Sequence, residues 1–210
     1  MDNRYVKIFA SGSKAPLKAT PGHFATNHAH INYYLDMTTL KTRLSEAQEV
    51  AKHLAERFLF DKVVDTIVCL EGTQVIGAYL AEELTRAGVL STNAHKTIYV
   101  ITPEYNSNSQ MVFRENILPM VHGKNVVILT AVVTTGLSLN KSIEAIQYYG
   151  GKLQSAAAVL DELNGCPITS IYSPEDVTDY IYYDYRKCPL CEKGIKLDAL
   201  VNAYGYTTLG

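Results

Sequence analysis

The sequence predicts an α/β protein: a parallel sheet flanked by helices, with a small cap built from both ends of the chain. Three observations lead there. Between residues 40 and 162, short apolar runs alternate with segments whose apolar residues repeat at helical spacing, which is the pattern of stacked βαβ units. The runs are continuous rather than alternating, as in strands buried on both faces. Residues 1–36 and the stretch after Gly165 fit neither pattern and are irregular and tyrosine-rich. The 210 residues suit one domain, with a core of about 40–162 and a cap of about 1–39 plus 163–210.

Each element has its own signal. Ser45 and Gln48 have capping-box spacing, and Ala47, Val50, Ala51, Leu54, Phe58 and Leu59 then recur on one helical face. "VVDTIVCL" reads as a buried strand, and the loop "EGTQ" leads into a helix over Val75–Ala87 closed by Gly88. "TIYVI" is a second strand. Residues 102–123, polar and weakly periodic, read as a long loop or a mobile hairpin. "NVVILT" is the third strand, followed by a helix over Leu137–Tyr149 that stops at Gly150-Gly151. "LQSAAAVLDE" is the fourth strand, and "LDALVNAYG" reads as a short helix.

Composition narrows the function classes. Apolar residues make up 47% and charged residues 19%, with 19 Lys+Arg against 21 Asp+Glu. No global basic field exists, so nucleic acid is not an expected partner. The first twenty residues lack a long apolar run, which argues against a secretory signal or a membrane span. Four cysteines do not make a disulfide scaffold at this length, and a reduced, cytoplasmic protein is the expectation.

In sheets of this kind ligands bind beyond the carboxyl ends of the strands. That rule places Glu71–Gln74, Thr130–Gly136 and Asp161 around one crevice. Within "TTGLSL", Gly136 permits a tight turn, and the following helix start leaves N–H groups unpaired to attract an anion. The hydroxyls of Thr134, Thr135 and Ser138 can add donors; a capped turn that binds nothing is the alternative.

Longer stretches carry a resemblance. "VVILTAVVTTGLSLNKSIEAIQYYGGKL" is similar to the phosphoribosyl-pyrophosphate-binding strand, loop and helix of the type I phosphoribosyltransferases. "FATNHAHINYYLDM" resembles the N-terminal region of orotate phosphoribosyltransferases, "VVDTIVCLEGTQVIGAYLAEEL" their pyrophosphate-loop unit, and "KCPLCEKGIKL" the ending of some of them. The resemblance implies a phosphate site at Thr134, Thr135, Gly136, Leu137 and Ser138, and a pyrophosphate loop at Glu71, Gly72, Thr73 and Gln74. It puts Thr130, Ala131 and Asp161 on the ribose or base side. It further implies a homodimer, a small phosphorylated ribose ligand and, if the chain is active, Mg2+.

The departures are specific. The family's strand ends in two acidic residues that bind the ribose hydroxyls and stabilise positive charge on the sugar; here those places hold Thr130 and Ala131. Its mobile loop brings an arginine–lysine cluster to the pyrophosphate, whereas this loop offers only Arg114 and Lys124. The arginine that grips the orotate carboxylate is replaced by Glu162, which repels an anion, and Thr26 and Asn27 stand near an expected lysine. Two lost charge-assisted bonds, at roughly 1.5–3 kcal/mol each, amount to about a hundredfold to ten-thousandfold in rate. Three readings follow: a phosphoribosyl-binding protein with weak or absent catalysis, a transferase acting on a base other than orotate, and a dimeric regulatory subunit without a small ligand.

Other residues are ambiguous. Cys188 and Cys191 form a lone CxxC, for which zinc would require two further ligands such as Cys166 or a histidine. The sequence assigns no metal site. His23, His28 and His30 read as polar residues of the cap, and "YIYYDY" either stacks a ring or packs at an interface.

Overall fold

The computed structural model describes residues 5–27, 29–58, 62–86, 92–94, 96–163, 168–173, 175–177, 179–202 and 204–209. The chain opens with β1 (Val6–Phe9), β2 (Pro16–Ala25) and β3 (His30–Asp36), then α1 (Thr38–Thr42) and α2 (Leu44–Phe58). The middle runs β4 (Thr66–Cys69), α3 (Gln74–Arg86), β5 (Tyr99–Ile101), β6 (Glu104–Tyr105), β7 (Met111–Val112), β8 (Asn125–Val133), α4 (Leu137–Tyr148), β9 (Lys152–Asp161) and β10 (Ile168–Tyr172). It ends with β11 (Tyr182–Tyr183), α5 (Pro189–Glu192), β12 (Ala199–Asn202) and β13 (Gly205–Thr208).

The central sheet has the order β10-β9-β8-β4-β5, with every pairing parallel. Successive side chains of a strand point to opposite faces, and the core divides accordingly. Ile67, Cys69, Val127, Leu129, Ala157 and Val159 pack with α2 and α3 residues such as Leu54, Ile76 and Leu80. Val68, Ile128, Ala156 and Ala158 face the other way, onto Leu139 and Ile146 of α4. Helices on both sides explain why these strands are apolar along their whole length.

The second sheet, β11-β3-β2-β12-β13 with β1 beside β2, is the cap, and it joins the two ends of the chain around Phe24, Ile31, Tyr34, Ala199 and Val201. Tyr172, at the end of β10, ties the cap to the core: its hydroxyl donates to the Ala15 carbonyl and accepts from the Leu17 N–H at 3.1 Å.

Four elements differ from the sequence reading. The N-terminal region is a meander of three strands, because its polar and aromatic residues pair with the C-terminal strands to make one sheet. "LDALVNAYG" belongs to the β12–β13 hairpin: Ala199 and Val201 are buried while Leu200 and Asn202 are exposed, a period of two that tertiary pairing selects over helix propensity. Ser45 lies inside α2, and its hydroxyl donates to Glu46, so no capping box with Gln48 forms. β8 runs past Thr130 to Val133. Within residues 102–123, β6 and β7 make a short antiparallel hairpin whose root, at Met111 and Phe113, is buried. Leu59, Ala87, Gly88, Gly165, Cys166 and His28 lie outside the described residues. Among those described, no helix is long and apolar enough to cross a membrane.

Gly77 of α3 faces the sheet with no room for a side chain. A Cβ there would collide with the Cys69 sulfur and stand 3.1 Å from Val100 Cγ1. Gly77→Ala is expected to cost about 1–3 kcal/mol in urea denaturation, and Cys69→Ala in the same chain should recover most of that loss.

Candidate functional site

The carboxyl ends of β4, β8 and β9 form one edge of the sheet. After β4, the chain reverses through Glu71 (φ 54°) and Gly72 (φ 81°), both left-handed. Left-handed backbone is uncommon for a residue with a side chain and costs on the order of 1 kcal/mol or more. At Glu71 it is held by the carboxylate, whose Oε2 accepts from the Thr130 hydroxyl at 2.8 Å, the Ala131 N–H at 3.2 Å and the Val132 N–H at 3.4 Å. A carboxylate therefore covers the β8 positions that carry Thr130 and Ala131.

Beneath this bend, Lys41 of α1 donates from Nζ to the Glu71 carbonyl at 3.0 Å. Its side chain is buried, and desolvation lowers its pKa while the charges of Glu71 and Asp36 oppose that shift. Lys41 did not emerge from the sequence, where it is one lysine in the polar run "TTLKTRLS". Only the packing of α1 against the loop gives it a role. Thr73 turns inward, donating to the Leu70 and Leu129 carbonyls, while Gln74 is exposed at the start of α3.

The bend after β8 is open. Gly136 adopts φ 72° at the N-cap of α4, and its carbonyl accepts the first intrahelical bond, from Asn140, at 2.8 Å. Among the described residues, no acceptor within the protein is bonded to the N–H groups of Thr134, Thr135 or Gly136. The next three, of Leu137, Ser138 and Leu139, are the unpaired donors that any helix start leaves. Thr134, Thr135, Leu137 and Ser138 are exposed, whereas Gly136 between them is buried. A Cβ on Gly136 would come within 3.1 Å of Leu163 Cδ1. That contact brings the bend beside the end of β9.

There Asp161 is buried and accepts from the Leu163 N–H at 2.9 Å; desolvation raises its pKa and that bond opposes the rise. Glu162 is more constrained. Neither carboxylate oxygen has a well-formed hydrogen bond, burial lifts its pKa to about 7, and the Tyr180 hydroxyl beside it pulls the other way. Burial, and after it the charge of Glu162, drives the Tyr180 hydroxyl upward, so this corner pairs a carboxyl held well above the usual carboxylate range with a neutral phenol. The hairpin offers no cation of its own: Arg114 is exposed and pairs with Glu104 at 2.7 Å. Its Tyr105 hydroxyl is shifted upward, first by desolvation and then by the charges of Glu71 and Tyr204. His23 and His30 stand apart from this edge, on the cap with Cys188 and Cys191.

The folded Glu162 carboxyl holds its proton to about pH 7, whereas an unfolded glutamate releases it near 4.5. Its contribution to stability is thus complete below the lower value and lost as pH rises through the upper one. Glu162→Gln should raise the unfolding free energy by up to about 3 kcal/mol above pH 7, and by little near pH 4.5, in urea titrations at both ends.

No protein-family profile matches the chain. Over 177 residues it is 26% identical to the orotate phosphoribosyltransferase of Desulforamulus reducens, covering 83% of this chain and 85% of that one. The orotate phosphoribosyltransferase of Heliobacterium modesticaldum is 27% identical over 180 residues, covering 82% and 85%. Among solved structures, Mycobacterium tuberculosis orotate phosphoribosyltransferase matches with a TM-score of 0.52 at 16% identity, covering 77% of this chain and 92% of that one. A phosphoribosyltransferase from Corynebacterium diphtheriae matches with a TM-score of 0.52 at 17% identity, covering 76% and 90%. The chain has the type I phosphoribosyltransferase fold and is similar in sequence to the orotate phosphoribosyltransferases along most of its length.

Proposed function

We propose that the chain binds a phosphorylated ribose compound at the bend between β8 and α4, with transfer chemistry weak or absent. The observation that carries this reading is the row of unpaired amides at Thr134, Thr135 and Gly136, leading into a helix start on the same edge as Glu71. Amide donors and a helix dipole bind a phosphate without a cation, and the hydroxyls of Thr134, Thr135 and Ser138 complete the cradle. The ribose lies toward Thr130 and Glu71. The base side, at Asp161 and Glu162 with Tyr180, suits a neutral ring better than an anionic one.

Within this reading the chain acts as a homodimer in the cytoplasm, and light scattering of the purified protein tests the dimer. Isothermal titration with ribose 5-phosphate, a nucleoside monophosphate and phosphoribosyl pyrophosphate should give heat with at least one of them. Thr135→Asp, which puts an anion in the cradle, should abolish that heat. No heat from the parent chain with any of the three contradicts the proposal.

One observation favours a second reading, in which the chain is an active transferase on a base other than orotate. Glu71 supplies a carboxylate where Thr130 and Ala131 leave none, with Oε2 held by three donors and Oε1 without a hydrogen-bond partner among the described residues. A Mg2+ ion fits such a site when one carboxylate and the substrate's own phosphate oxygens share it. Bound there, it would neutralise pyrophosphate as the leaving group. Pyrophosphate release across a panel of bases with Mg2+ reveals this activity. Glu71→Gln should slow it about tenfold to a hundredfold, the worth of one charged hydrogen bond. Silence from the parent chain across the panel would dismiss the second reading and leave the first in place.

A further inference from the structure

The cap gathers four ligand-bearing side chains from three separate places in the chain. His23 lies on β2, His30 opens β3, Cys188 is the N-cap of α5 and Cys191 lies within it. One nitrogen or sulfur from each falls within 4.8 Å of all the others. His23 Nε2 stands 3.1 Å from His30 Nδ1, 3.5 Å from Cys188 Sγ and 3.7 Å from Cys191 Sγ, while Cys191 Sγ is 3.3 Å from His30 Nδ1. A tetrahedral zinc with its usual bond lengths spaces its ligands about 3.3 Å apart for two nitrogens, about 3.6 Å for nitrogen and sulfur, and about 3.8 Å for two sulfurs. The four separations just given lie close to those edges, and the remaining two, from Cys188 to Cys191 and to His30, are within 4.8 Å.

Hydrogen bonding alone accounts poorly for the cluster. His23 Nδ1 lies 2.8 Å from the Ile195 carbonyl, which can only accept, so the ring proton sits on Nδ1 and Nε2 is left as a lone pair. That single lone pair is approached by three groups, of which hydrogen bonding can use one well. A metal ion uses all of them, and a carbonyl behind a ligating histidine is the usual arrangement for fixing its tautomer. The backbone of His23 is held as well, its N–H donating to Asp198 Oδ2 at 2.7 Å and its carbonyl accepting from the Asp198 N–H at 2.7 Å. His23 and Cys188 are buried and Cys191 is exposed, so an ion can enter from outside.

We propose that His23, His30, Cys188 and Cys191 bind one structural Zn2+ that fastens the C-terminal segment to β2 and β3. Two thiolates and two imidazoles in a closed tetrahedron favour zinc over magnesium or calcium, and with four protein ligands no position is left for a substrate. None of the crevice residues takes part, so the proposal is independent of ribose-phosphate binding.

The full chain, purified without chelator, should carry about one zinc per chain by elemental analysis. A strong chelator should remove the zinc and lower the melting temperature, and added Zn2+ should restore it. Cobalt substitution should give the visible bands of a tetrahedral ion with thiolate charge transfer. Cys191→Ser, at the exposed ligand, and Cys188→Ser should each lose most of the metal. Should the buried variant fail to fold, Cys191→Ser together with the chelator experiment still decides. A chain that takes up no zinc from excess, or whose melting temperature ignores the chelator, overturns the proposal. So does metal retained at full stoichiometry in Cys191→Ser.

Discussion

The carboxyl edge of the central sheet is organised by a carboxylate laid across the end of a neighbouring strand. Glu71 leaves β4 in a left-handed conformation that a side chain disfavours, and three donors on β8 hold its carboxylate in return. Backbone strain of this kind persists only where surrounding contacts over-determine it. Lys41 adds a donor to the Glu71 carbonyl from below. The loop and the strand end are therefore one unit, and a change at Thr130 is felt in the backbone at Glu71 and Gly72.

That unit separates two tasks that sit close together in space. The bend at Thr134–Gly136 needs no charged side chain, because amide dipoles at a helix start attract an anion by themselves. Charge stabilisation on a sugar does need a carboxylate, and the one laid across the end of β8 belongs to Glu71 of the β4 loop. Beyond them, Glu162 and Tyr180 make a corner whose protonation changes near neutral pH. Anion binding can survive in such a site while transfer chemistry is weakened, since the two depend on different groups.

Much of this was legible in the sequence. The βαβ alternation and the strand-by-strand apolar runs follow from patterns local enough to read directly, and the two chain ends do share a sheet, although β10, read as part of the cap, joins the central sheet instead. The glycine of "TTGLSL" marked a turn, and the structure gives it φ 72° at the start of α4. What escaped depends on tertiary pairing. "LDALV" carries helix formers, yet pairing with β2 draws it into a sheet. Lys41 is unremarkable until α1 packs under the Glu71 loop. The histidines and the CxxC were each half of one cluster, separated by more than 150 residues of chain, and no sequence spacing links such halves.

The cap has a different basis of order from the core. Its apolar cluster is small, five buried residues among those described, and its strands come from distant parts of the chain. The Tyr172 hydroxyl joins it to β10, and the Cys188–Cys191 turn meets β2 and β3 at His23 and His30. The character of the carboxyl edge of the central sheet depends most of all on whether the bend before α4 takes an anion. Crystals grown with ribose 5-phosphate answer that directly. Phosphate density within hydrogen-bonding reach of the Thr135, Gly136 and Leu137 amides is the result expected; density that lies elsewhere, or an empty bend at saturating ligand, would contradict it.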